Sequence, residues 1–185
     1  MNIHPTAVLH PEAKLHPTVK VGAFCVIGQA TIGRDVIIDH HCVIDRAELG
    51  ALTRVRSFVE LRDGTVVGTG CYIDSGVKSS GKNCIGDRVV VRFDAILARG
   101  CEVGDESFIA PQVMTINLDH QGTQIGGAKI GKRCHVGTAA VLHPGIELCD
   151  DVVIGAQALV TRDCTEPGIY VGIPAKLSRH LGQGI

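Results

Sequence analysis

From Ile3 to Ile109, and again from Ile130 to Val160, an aliphatic side chain returns every six residues. The only polar member is Ser79, and two steps shorten to five, at Ile27 to Ile32 and at Ile44 to Leu49. A period of six fits neither the 3.6 of a helix nor the alternation of one long strand, so it predicts short strands separated by corners. Two residues before each aliphatic position stands a small or apolar one, as at Ala7, Ala13, Cys25, Cys42, Val59, Cys71, Ala95 and Cys134. Side chains two apart on a strand share a face, so both members of each unit point inward and the residue between them points out. Glycine often follows the aliphatic residue, as at Gly22, Gly68 and Gly104, where a missing Cβ relieves a tight corner. Three units make an 18-residue triangular coil of the hexapeptide-solenoid kind.

With 45% hydrophobic but only 3% aromatic residues among 185, the core is aliphatic and narrow. Each fully buried Val, Ile or Leu contributes roughly 1.5–3 kcal/mol, so about two dozen of them suffice for one domain. That domain is expected over residues 1–173, followed at 174–185 by a C-terminal arm or capping helix carrying Lys176, Leu177, Arg179, His180 and Leu181. A net charge of −1 without aromatics set among basic runs gives no nucleic-acid surface. The repeat begins by Ile3 and polar corners interrupt every apolar run, so neither a signal peptide nor a membrane span is expected, and a cytoplasmic protein follows.

Of eight cysteines, Cys25, Cys42, Cys71, Cys101, Cys134 and Cys164 fall in the small inward register, and only Cys84 and Cys149 do not. They read as core spacers, with Cys25 and Cys42 stacked on successive coils; no Cys-x-x-Cys pair suggests zinc, and no metal is expected. Among the histidines, His4, His10 and His16 precede prolines at three successive corners and cannot converge. His143 repeats that His-Pro corner, and His40, His41, His135 and His180 read as corner or surface residues. His120 differs, because it lies in the one stretch, 115–129, that breaks the repeat. Loops projecting from rigid scaffolds concentrate binding and catalytic groups.

The pattern from Ile3 to about Val160 resembles the left-handed parallel β-helix of hexapeptide-repeat proteins; the left hand comes from the resemblance. More specifically, Ile109-Ala-Pro-Gln-Val113 with His120, then Val136-Gly-Thr138, Ile154-Gly-Ala-Gln-Ala158, Val160-Thr-Arg-Asp163 and Val171-Gly-Ile-Pro-Ala-Lys176 resemble the acetyl-CoA-dependent acetyltransferases of the galactoside, maltose and xenobiotic type. The resemblance implies that His120 is the catalytic base, a role suited to imidazole, whose ordinary range straddles neutral pH. Asn117 and Asp119 are the candidates to orient it and to touch the acceptor, and a backbone N–H near the loop is the expected oxyanion donor. It further implies acetyl-CoA lying near Thr138, Ala156, Thr161 and Arg162, with Lys176 and Arg179 meeting its phosphates, in a groove between subunits of a homotrimer.

In the matching coil, Val91-Arg-Phe-Asp94 replaces an Asn-bearing segment of the sugar O-acetyltransferases, which makes Arg92 and Asp94 candidate acceptor contacts. Two shorter resemblances point to nucleotide sugars: Ile3-His-Pro-Thr-Ala-Val8 onward is similar to the start of UDP-N-acetylglucosamine acyltransferases, and Val55-Arg-Ser-Phe-Val-Glu-Leu-Arg62 to a coil of bifunctional sugar-phosphate N-acetyltransferases. N-acetylation of an amino sugar or nucleotide sugar is the preferred expectation, ahead of O-acetylation. The alternatives are a zinc enzyme similar to γ-type carbonic anhydrases, whose paired histidines at a step of five are missing here, and a non-catalytic β-helix that binds partners.

Overall fold

The computed structural model describes residues 2–180. The units close into a left-handed parallel β-helix of about nine turns, with no helix among the described residues. Nearly every strand is two residues long, one outward and one inward, as at Val26–Ile27 and Ile96–Leu97. Among the described residues the strands stack into three flat faces of eleven, nine and eight strands. The first face contains Asn2–Ile3, Lys20–Val21 and their equivalents, the second Val8–Leu9 and Val26–Ile27, the third Lys14–Leu15 and Thr31–Ile32. Each residue pairs with its equivalent one coil on: Ile3 with Val21, Val90 with Phe108. Where a step shortens to five the pairing skips 17 residues instead of 18, as from Lys20 to Ile37, and the face is undisturbed.

The interior is the aliphatic column expected, with Ile38, Ile73, Val91, Leu97, Ile109, Leu142 and Ile154 at 0–1% exposure. Cys25, Cys42, Cys71, Cys101, Cys134 and Cys164 are buried free thiols, whereas Cys84 is exposed and Cys149 half-buried. The Cys25 and Cys42 thiols donate to the carbonyls of Asp39 and Arg56, both at 2.9 Å. Ser79, the polar break in the series, is satisfied within the core: its Oγ lies 2.7 Å from Thr65 Oγ1 and donates to Asn83 Oδ1 at 2.5 Å, while Asn83 Nδ2 donates to the Ala98 carbonyl at 2.6 Å. Pairing every member is what makes a buried polar group tolerable.

Two kinds of corner position divide the work attributed to glycine. The glycines that follow the aliphatic residue are needed for close approach, since a Cβ on Gly104 would lie 2.6 Å from the carbonyl carbon of Gly131 one coil above. The left-handed bend falls elsewhere, and mostly on non-glycine residues: between the first and second faces it is taken by Phe24, His41, Phe58, Gly76, Asp94, Gln112, Ala139 and Gln157. Each of these is held from the coil below, as when His41 N–H donates to the Ala23 carbonyl at 2.9 Å and Phe58 N–H to that of His40 at 3.0 Å. Flat side chains there stack along the edge: the Phe24, His41 and Phe58 rings are 5.1 and 5.0 Å apart and nearly parallel.

Through His180 the C-terminal segment is an arm and not a helix. Gly168–Val171 adds a parallel strand beside Val152–Ile154, and Lys176–His180 turns back antiparallel on it. The returning strand occupies hydrogen-bonding groups that the edge of the first face would otherwise leave open. Leu181 and the rest of 181–185 lie outside the described residues.

Candidate active site

The repeat is interrupted at the corner between the second and third faces, where residues 116–128 leave the helix after Met114–Thr115 and rejoin it at Lys129–Ile130. Phe108 pairs with His135, 27 positions on, so the stack closes over the insertion without losing a rung. Thr115 anchors the root: it is 3% exposed, and its Oγ1 accepts the Ala98 N–H at 2.7 Å. The loop folds back on itself through a bridge between Leu118 and Gln124, and the Asn117 carbonyl accepts the N–H groups of Ile125 and Gly126 at 2.9 and 3.3 Å.

His120 stands exposed at the tip, in the turn between Asp119 and Gly122. Asp119 builds that turn, since its Oδ1 accepts the N–H groups of Gln121 and Thr123, both at 2.8 Å. The Thr123 N–H, with that of Gln121, holds the Asp119 carboxyl below the usual carboxylate range. Asp119 therefore places the backbone on either side of His120, and Asn117 acts through its carbonyl; no hydrogen bond to the imidazole from either side chain is found among the described residues.

Below the loop is a cavity of about 520 Å³ lined by Leu118, Asp119, His120, Ile125, His143 and Thr161, with Ile116, Pro144 and Ile146 as its floor. Ile116, His143 and Thr161 occupy one corner on successive coils, as the Ile116 N–H to Leu142 carbonyl and His143 N–H to Val160 carbonyl bonds show. His143, read from sequence as an ordinary His-Pro corner, thus joins His120 in the same cavity. The signal was present in the register: 116, 143 and 161 are equivalent once the nine extra residues are subtracted.

On the same edge, Thr161, Arg162, Pro174, Ala175 and Lys176 line an adjoining cavity of about 290 Å³. Among the described residues no ion pair engages Arg162, Lys176 or the exposed Arg179, whereas Arg133 and Lys132 are paired to Asp151 and Asp105. These unneutralised cations fit a polyphosphate-bearing ligand.

The other candidates fall elsewhere. Arg92, Asp94, Thr138 and Ala156 all lie on the corner between the first and second faces, away from the edge that carries His120. Arg92 Nε donates to Asp74 Oδ2 at 3.0 Å, and Asp94 has a left-handed backbone, its carboxylate occupying the space over Gly76. Within one chain these four do not meet His120.

Residues 127–162 match the family model described as hexapeptide repeat of succinyl-transferase. Over that stretch the chain is similar to the hexapeptide-repeat family. The Koribacter versatilis bifunctional protein GlmU is 24% identical over 182 residues, covering 93% of this chain and 37% of the relative, and that of Acidithiobacillus ferrooxidans is 27% identical over 153 residues, covering 80% and 32%. The chain thus spans about a third of the length of these curated relatives. Among solved structures, a UDP-N-acetylglucosamine acyltransferase superposes with a TM-score of 0.81 at 19% identity, covering 96% of this chain and 73% of that one. The Campylobacter jejuni UDP-N-acetylglucosamine acyltransferase gives 0.67 at 17% identity, covering 95% and 73%. At these identities the structures speak for the coil and its hand.

Proposed function

We propose that the protein is an acyltransferase that moves an acetyl group from acetyl-CoA to an amine or hydroxyl of a sugar or nucleotide sugar, working as a homotrimer in the cytoplasm. The observation that carries this reading is the placement of His120 over a cavity of about 520 Å³, beside a second cavity lined by the unneutralised Arg162 and Lys176. The relatives support the same chemistry, since two structural neighbours are named for acyl transfer to UDP-N-acetylglucosamine.

Acetyl-CoA supplies an activated acyl group; Arg162, Lys176 and Arg179 hold its phosphates, and Thr161 lies between them and His120. His120 takes the proton that the acceptor amine or hydroxyl loses as it attacks, and returns it to the departing thiolate. A positioned base of this kind contributes roughly 10²–10⁴ in rate. Thr138, Ala156, Arg92 and Asp94 enter this reading through a neighbouring copy, because one chain keeps them on a different edge. N-acetylation is preferred, with O-acetylation second.

The test is thiol release from acetyl-CoA against a panel of amino sugars and nucleotide sugars, with the native chain, His120→Ala and His143→Ala. The expected result is turnover of at least one acceptor and a loss of about 10²–10⁴ in kcat for His120→Ala. Undiminished turnover in His120→Ala, with loss in His143→Ala, moves the base to His143. No turnover, together with no coenzyme A binding by calorimetry, removes the reading.

A further inference from the structure

Four histidines precede proline at corners of the solenoid, and three of them are held in the same way. The N–H two residues on donates to the imidazole: Thr6 to His4 Nδ1 at 3.3 Å, Glu12 to His10 Nδ1 at 3.2 Å and Thr18 to His16 Nδ1 at 3.3 Å. His143-Pro144-Gly145 departs from this pattern. Here the Gly145 N–H donates instead to the Gly126 carbonyl at 3.0 Å, on the return limb of the loop. The insertion has taken the donor that fixes the ring elsewhere, and among the described residues no hydrogen bond engages the His143 imidazole. His143 is half-buried and lines the cavity under His120. An imidazole partly withdrawn from water and left without a partner on a rigid corner calls for one from a ligand.

The same cavity is short of backbone donors. Attack on a thioester turns its carbonyl oxygen into an oxyanion, which needs a hydrogen-bond donor already in place. Of the nine residues that line the cavity, five have no backbone N–H to give: those of Ile116, Asp119, Ile125 and His143 donate to the carbonyls of Leu142, Thr123, Asn117 and Val160, and Pro144 has none. The Asp119 carboxylate only accepts, whereas a neutral imidazole carries one N–H and donates it. His143 also stands in the right order along the edge. It is one coil, about 4.8 Å, from Thr161, which borders the cavity of Arg162 and Lys176. An acyl donor anchored there by its phosphates reaches His143 before it reaches the loop.

Resting on the acyltransferase reading, we propose that His143 is a second catalytic residue, a neutral imidazole that donates its N–H to the thioester carbonyl oxygen during acyl transfer. The acceptor nitrogen or oxygen bonds to the carbonyl carbon while His120 takes its proton, and the carbonyl pair moves onto the oxygen that His143 holds. The pair then returns, the carbon–sulfur bond breaks, and the thiolate leaves with the proton from His120. The two imidazoles divide the work by their anchorage. The one on the loop moves a proton, and the one on the corner holds a charge in place. The Gly145 to Gly126 hydrogen bond links them, since the bond that seats the loop is the one that frees the ring.

A side-chain amide can replace a hydrogen-bond donor but not a base, and this separates the two roles. With an acceptor that the panel identifies, His143→Ala is expected to lower kcat by about 10²–10³ while KM for both substrates stays near native. The better of His143→Asn and His143→Gln, whose amides reach toward the places of the two ring nitrogens, is expected to recover most of that loss. The acid limb of kcat/KM against pH, set by the base, persists in all three variants and vanishes in His120→Ala. Coenzyme A binding by calorimetry and far-UV circular dichroism are expected to remain native in each. Any of three results overturns the assignment: undiminished kcat in His143→Ala, a rise in acceptor KM with kcat unchanged, or amide variants no better than alanine. The last of these, joined to a lost acid limb, would make His143 the base. Each leaves the acyltransferase reading standing, because the native chain still turns over; a native chain that neither turns over nor binds coenzyme A removes both.

Discussion

The corner Ala98–Cys101 and the loop 116–128 occupy the same place on successive coils and obey different rules. The first makes its turn in four residues, with Gly100 at a left-handed backbone angle, and delivers a buried Cys101 to the core. The second spends nine more residues, buries almost none of them, and returns through Gly126, Gly127 and Ala128 to the same column. Every residue of the short corner is answerable to packing. The long one is answerable only at its ends, so its tip is free to hold an exposed imidazole. Packing and exposure are thus segregated along the chain to a degree that a compact globular core does not permit.

The strongest way to break this contrast is to convert one corner into the other. Deleting Asn117 to Ile125 leaves Ile116-Gly-Gly-Ala128, a four-residue corner of the ordinary length. The expected outcome is a folded protein with the melting behaviour of the native chain and no measurable acyl transfer, read by circular dichroism and thiol release. A large fall in melting temperature would show that the loop also holds the coils. The converse change, Leu97→Ala, removes a fully buried side chain from the coil beneath and is expected to cost about 2–5 kcal/mol in urea unfolding while sparing the acceptor specificity of whatever remains folded.

Smaller effects sharpen the same line. The Asp119 carboxyl is held below its ordinary range by the Thr123 and Gln121 N–H groups. A group whose folded pKa is depressed gives stability that is present above its unfolded pKa and lost as pH falls through the folded one. Acidification is therefore expected to loosen the turn that carries His120 before the coils respond, seen as amide exchange rising at Gln121 and Thr123 while Leu97 and Ile109 stay protected. Asp119→Asn is expected to bring that loosening to neutral pH. Least of all, a maleimide is expected to label Cys84 fast and Cys149 slowly, and the six buried thiols only on unfolding; burial pushes Cys101 up to about 12. Equal labelling of Cys84 and Cys101 in the folded chain would contradict the register.

How much of this was legible from the sequence follows the same division. The coil was readable because burial imposes a period: Ile38, Leu97 and Ile154 occupy the positions the step of six assigns, and six of the eight cysteines fall in with them. The loop announced itself by interrupting that period. What escaped were relations between coils. His143 carries no local sign of function, and only counting coils places it beside His120. Arg92 and Asp94 lie at a different edge for the same reason, since a residue's edge depends on its position modulo a full turn and not on nearby motifs. The arm at Lys176–His180 gave no period at all, being a single strand whose form is decided by the open edge it meets.

The Thr65–Ser79–Asn83 chain has a consequence of another sort. In a stack of near-identical triangles, slipping one stretch by a whole turn would exchange Ile for Leu and Val for Ile at almost every level, a trade worth little in oil. At the level of Ser79 it would strand two hydroxyls and an amide in that oil without partners, each a cost of about 1–3 kcal/mol. The polar knot works as a keyway: a nearly uniform shaft acquires, at this notch, a means of telling one turn from the next.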